Sequence, residues 1–195
     1  MNKRRKIILR TLLILPFVAV LAVWLLSRYK THDNLPYKTI AASVEINAPP
    51  DSVFAYLGHS EKAGEWSVFV HHISTLNSDS FADGTVGCRR RCFCREDETG
   101  TQWDELITEV VPGKRRQLSI YHLVDFEMTA EGLYTEQIYT PLDGGKRCRL
   151  TLSLFYKNGN PGVWDIFKTH LSSWKAESIF ERNLANIKRN IEQQR

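Results

Sequence analysis

The sequence has few of the short motifs that announce a chemistry. No phosphate loop, nucleophile elbow or metal-protease helix occurs in its 195 residues, which lowers the expectation of catalysis. Cysteine is limited to four residues, Cys88, Cys92, Cys94 and Cys148, and none forms a C-x-x-C pair, so a zinc-finger type site is not expected. Internal repeats and low-complexity tracts are absent, and no stretch resembles a base-reading module. Acid is missing from the first thirty residues, which hold seven of the 26 basic residues; against 22 acids, the remainder carries a net charge of −3. The basic pI of 8.9 therefore belongs to the N-terminal segment, and no nucleic-acid partner is expected. What is present is ordinary globular composition, 43% hydrophobic and 25% charged, in a length that suits one domain.

Residues 7–26 read IILRTLLILPFVAVLAVWLL, with Arg10 the one charge. Twenty residues at about 1.5 Å each span about 30 Å, one hydrocarbon core. Arg10 can snorkel, Pro16 is tolerated in lipid, and Trp24 and Tyr29 sit at interfacial positions. A cleaved signal peptide is the competing reading, but no A-x-A site ends the run. The expectation is a basic cytoplasmic stub over 1–6, a single-pass transmembrane helix over 7–26, a linker over 27–37 and one domain over 38–195. Lys3, Arg4, Arg5 and Lys6 before the run place the N-terminus in the cytoplasm and the domain on the outer, periplasmic or extracytoplasmic side.

Beyond the linker, residues 39–46 predict a strand and 51–57 a short helix after Pro49 and Pro50, with a further helical turn over 60–66. Strand character resumes over 68–76. Hairpins follow through 85–96, 101–111, 115–124, 127–140 and 147–156, punctuated by turn residues such as Pro112-Gly113 and Asn158-Gly159. A long helix is expected over 163–193, its apolar phase slipping near Ser178.

This order resembles the START-like (SRPBCC) superfamily, and within it the polyketide cyclase/dehydrase and lipid-transport group. The residues that carry the resemblance run from Val44-Glu45-Ile46-Asn47-Ala48-Pro49-Pro50-Asp51-Ser52-Val53-Phe54 with Tyr56-Leu57 and Trp66, through Trp103-Asp104-Glu105 with Ile107 and Val111-Pro112-Gly113-Lys114-Arg115. They continue with Gly144-Gly145 and close on Leu184-Ala185-Asn186-Ile187-Lys188. The resemblance covers 38–193. It implies an α+β helix-grip fold, a curved antiparallel sheet of about seven strands around the long C-terminal helix, with a hydrophobic cavity beneath that helix. It supplies no general catalytic motif, since the superfamily hosts carriers and enzymes alike.

Candidate site residues come from strand alternation. If Glu96 pairs with Thr101, then Cys94 faces Trp103, Cys92 faces Glu105 and Arg90 faces Ile107, all on the apolar, concave side. Arg90 and Glu105 are diagonal neighbours there and must pair. They serve either as polar fixtures for a ligand or as an ion pair that pins register. His122 lies opposite Trp103 if Pro112-Gly113 makes a two-residue turn; one extra residue puts Tyr121 inside instead. His71 and His72 point to opposite faces and do not suggest a metal. The cysteines are expected as free, buried wall residues. Phe167, Leu171 and Trp174 are expected to close the cavity from the helix.

The leading expectation is a membrane-anchored module that binds a hydrophobic small molecule or lipid without catalysis, using no cofactor and no metal. The alternatives are a cyclase/dehydrase-type enzyme using Glu105, Arg90 and His122, and a partner-binding module whose cavity is filled by its own side chains. The sequence names no protein partner.

Overall fold

The computed structural model describes residues 3–126, 128–129, 131–157 and 161–193, with side chains described from residue 14 onward. Helix α1 runs Lys3–Leu26. Among the described residues no helix is long and apolar enough to cross a membrane. The 1–6 stub and the 7–13 half of the apolar run lie outside the described side chains.

Strand β1 (Thr39–Ile46) turns its even-numbered residues inward, Ile40 and Ile46 being fully buried. Pro49 stops it, and Pro50 at the first position with Asp51 in the first turn starts helix α2 (Pro50–Tyr56). A 3₁₀ turn over Ser60–Lys62 leads into α3 (Ala63–Trp66). Then come β2 (His72–Thr75), β3 (Arg89–Phe93), β4 (Gln102–Val111), β5 (Arg115–Val124), β6 (Leu133–Leu142) and β7 (Arg147–Tyr156), and helix α4 (Val163–Gln193) closes the chain. The seven strands form one antiparallel sheet in the order β1-β7-β6-β5-β4-β3-β2. Two irregularities between β4 and β5 bend it, one between Gln102 and Asp104, the other between Ile107 and Glu109.

The second half of α4 seals one end of the sheet. Leu184, Ile187 and Ile191 pack with Ile46, Val53, Leu57, Tyr139 and Leu150. The same helix buries Thr169, His170 and Ser173 in its first half and Asn183, Leu184, Ile187 and Ile191 in its second. These positions share one helical face, so the buried face does not change at Ser178; the expected slip arises because the large apolar residues of the first half, Phe167, Leu171 and Trp174, lie off that face.

Several elements are shorter than expected. The 68–76 strand begins only at His72, because the Ser67 hydroxyl accepts from the Phe69 and Val70 amides and Asn183 accepts from Val68. The 85–96 strand begins at Arg89, because Asn77 holds both the Gly87 carbonyl and the Arg89 amide in a loop. The 127–140 strand begins at Leu133; Glu127 and the Asn158–Asn160 turn lie outside the described residues. Gly113, in the turn between β4 and β5, has φ +65°, a left-handed conformation that favours glycine, and a Cβ there would require the Asp51 carboxylate to move.

Candidate ligand cavity

The concave face of the sheet and α4 enclose a cavity of about 250 Å³. Its floor is built by β3 and β4. Arg90 pairs directly with Glu105, and Cys92 with Trp103. The expected diagonal relation between Arg90 and Glu105 is therefore a direct cross-strand one. The register differs by two residues, which leaves every side chain on its expected face.

The two buried charges of this floor pair with each other. Arg90 Nε donates to Glu105 Oε2 at 2.8 Å, and the Trp103 indole donates to Glu105 Oε1 at 3.0 Å. Both carboxylate oxygens are accepting. Arg90 also reaches the Ser60 hydroxyl at 3.4 Å, and Asp83 holds Ser60 at 2.7 Å. Burial works against the Arg90 charge, but the Glu105 carboxylate outweighs it. The remaining lining is mostly apolar: Phe69, Ile120, Phe126 and Leu133 from the sheet side, Ala176, Ile179 and Phe180 from α4. The Trp66 indole nitrogen in this wall is buried and has no hydrogen-bond partner among the described residues.

The structure places the expected site residues unevenly. Arg90, Cys92, Trp103 and Glu105 line the cavity. Cys94, also expected there, is half-buried but does not line the cavity; its amide donates to the Thr101 carbonyl. Ile107 is buried one layer away, with Cys88 and Leu118. The helix residues need correction. Phe167 lines a separate groove against α1, Leu171 is exposed, and Trp174 is half-buried outside the cavity wall. The helical positions that do face the cavity are Ser172, Lys175, Ala176, Ile179, Phe180 and Asn183. Large apolar residues marked the wrong stripe, since this one begins with serine and alanine. Its signal was the four-residue spacing of Ser172, Ala176 and Phe180, in phase with buried Leu184 at its far end.

His122 also needs correction. It sits at the irregularity between Gln102 and Asp104 with φ +55°, and its ring turns to the outer face. There its Nδ1 lies 3.0 Å from Asp104 Oδ2, and Arg91 makes a bidentate pair with the same carboxylate. His71 and His72 touch through their Nδ1 atoms at 3.0 Å on the surface, and no metal-holding cluster occurs among the described residues.

Burial raises the Asp104 carboxyl, but hydrogen bonds from Arg91 and His122 outweigh it and hold the pKa below the usual 3.8. A lowered pKa makes this group stabilising above about pH 3.8, and its contribution fades as pH falls further. Asp104→Asn is therefore expected to destabilise the protein at pH 7, by about 1–3 kcal/mol for lost charge-assisted bonds. The difference from wild type should shrink below pH 4 in acid–denaturant titrations.

The thiols are quiet. Desolvation pushes Cys92 well above the ordinary range, and Cys94 and Cys148 up to about 11. At neutral pH only about one such thiol in ten thousand is a thiolate. Iodoacetamide at pH 7.5 is expected to leave the native protein essentially unlabelled and to label four sites after unfolding.

A curved antiparallel sheet wrapped around a long C-terminal helix, with a cavity between them, defines a helix-grip domain. Residues 38–192 match the family described as polyketide cyclase / dehydrase and lipid transport, and the chain belongs to that family. No curated protein matches it. Among solved structures it is similar to a START superfamily protein from Mycobacterium smegmatis, with 12% identity and a TM-score of 0.57 over 80% of this chain and 99% of that one. It is similar also to MLL2253 from Mesorhizobium loti, at 15% identity and a TM-score of 0.59, covering 80% and 98% of the two chains. DynU16, from the dynemicin biosynthetic locus, matches at 18% identity and a TM-score of 0.57 over 82% of this chain and 49% of its own. These likenesses establish the fold.

Proposed function

We propose that the domain carries a hydrophobic small molecule in the cavity beneath α4, without catalysis, and that α1 anchors it to a bilayer. The observation that carries this reading is the character of the cavity: mostly apolar walls around one buried ion pair, Arg90 and Glu105, with Lys175 and Asp125 at exposed positions of the lining. Burial of apolar ligand surface at about 25 cal/mol per Å² then supplies affinity without chemistry. A volume of about 250 Å³ lies near the lower bound for ligand pockets, about 300 Å³. That size favours a compact molecule or one acyl chain over a two-chain lipid.

The cyclase/dehydrase alternative keeps Glu105 and Arg90 but loses His122 to the outer face. Its Glu105 carboxylate is held by Arg90 and Trp103, one on each oxygen, rather than by a second titratable group in the cavity. The anchor reading rests on the 7–26 sequence and on the α1 backbone of 24 residues, about 36 Å at the helical rise. It puts the domain on the extracytoplasmic side, an oxidising compartment in which free thiols are uncommon but buried ones persist.

The test is solvent extraction of full-length protein purified in lipid nanodiscs, with mass spectrometry of what is released. A small apolar compound, enriched over the surrounding lipid and stoichiometric with protein, is expected. Repeated native preparations that release bulk lipid only contradict the reading.

A further inference from the structure

The start of α4 carries apolar surface that the domain does not cover. Val163 is 87% exposed and Trp164 69%. This surface is continuous with that of α1, where Phe17 and Leu25 are 77% and 66% exposed. The two helices run side by side. Ser27 meets Ser173 through their hydroxyls at 3.1 Å, and the Trp24 ring lies 6.5 Å from that of His170. Further down, Phe17 and Val20 share an open apolar groove with Val163 and Phe167. Arg28 ties the junction to Glu177 at 3.0 Å.

We propose that the first two turns of α4, residues 163–170, lie in the same bilayer leaflet as the end of α1, with lipid acyl chains filling the groove between them. This rests on the anchor reading above. The depth is physically reasonable. Trp24, Tyr29 and Lys38 gather around His170, Lys38 Nζ lying 3.1 Å from His170 Nε2 and over the Tyr29 ring. Aromatic and cationic groups of this kind mark headgroup height. Trp164 is six residues nearer the N-terminus of α4, about 9 Å along the axis. Interfacial helices bury their apolar faces by about 5–10 Å. The two charges within the segment neutralise each other, Lys168 Nζ lying 2.7 Å from Asp165 Oδ1, which lowers the cost of placing them near lipid. Ser172, at one end of the ligand cavity, is then only two residues above headgroup height. A ligand exchanges between cavity and lipid with little passage through water.

Tryptophan quenching by bromolipid tests this on the full chain in phosphatidylcholine vesicles, with acyl chains either plain or brominated. Trp24 reports on α1 and Trp164 on α4. Both are exposed, so Trp24→Phe and Trp164→Phe leave the packed core intact. Each variant is expected to lose a share of the bromolipid-dependent quenching, on the order of half if these two residues dominate it. If Trp24→Phe reduces quenching and Trp164→Phe leaves it at the wild-type level, the anchor stands and this inference is overturned. If neither variant changes it and the chain does not float with the vesicles, the anchor reading fails as well.

Discussion

Glu105→Ala is expected to destabilise the domain by about 3–5 kcal/mol, because Arg90 is left charged, unpaired and out of water. Arg90 is 6% exposed and Glu105 7%, so solvent cannot take the place of the missing partner. The Trp103 indole loses its acceptor in the same variant. Urea unfolding followed by circular dichroism measures the effect. The companion variant is the double replacement Arg90→Met with Glu105→Leu. Removing both charges of a buried pair is often neutral or stabilising, so the double variant should unfold within about 1 kcal/mol of wild type or above it. It then separates two roles. A pair that only pins strand register leaves ligand binding unchanged once replaced, whereas a pair that orients the ligand's polar end lowers affinity in a fully folded protein. A double variant as unstable as Glu105→Ala alone contradicts this account of the pair's energetics.

Ile179→Trp is expected to abolish most ligand binding while leaving the fold nearly as stable as wild type. Ile179 points from α4 into the cavity, and a larger ring there takes the space a ligand would fill. Losing about 100 Å² of buried ligand surface costs about 2.5 kcal/mol, near a hundredfold in affinity. In a packed core the same overfilling costs about 1–3 kcal/mol of stability. In a void it costs less, so the denaturation midpoint discriminates the carrier reading from a domain plugged by its own aromatics. An apolar fluorescent dye gives the binding readout, and a variant that binds it as well as wild type counts against this cavity as the site.

Much of the architecture was readable from periodicity. β1, β5, β7 and α4 begin and end where alternation and turn residues place them, as in the Arg147–Tyr156 strand that follows Gly144-Gly145. The inward face of β3 and β4 was also legible, even with the register displaced by two residues, because a shift of two preserves parity. What was not legible depends on tertiary detail. The turn after β4 holds three residues rather than two, and the irregularity at Ile107–Glu109 restores the register it disturbs. A second irregularity and the left-handed backbone at His122 then turn that ring outward, and neither has a sequence signature. On α4 the cavity stripe opens with Ser172 and Ala176, which a search for large apolar residues passes over. Those positions are small because a ligand cavity needs room, while Leu171 and Trp174 project away from it.

The most direct measurement of the central claim is a side-by-side extraction of wild type and Ile179→Trp, each purified as the full chain in identical nanodiscs, with released compounds quantified per mole of protein. The account predicts one small apolar species near one equivalent in wild type and strongly depleted in the variant, against an equal lipid background. Equal amounts of every compound from both proteins would contradict it.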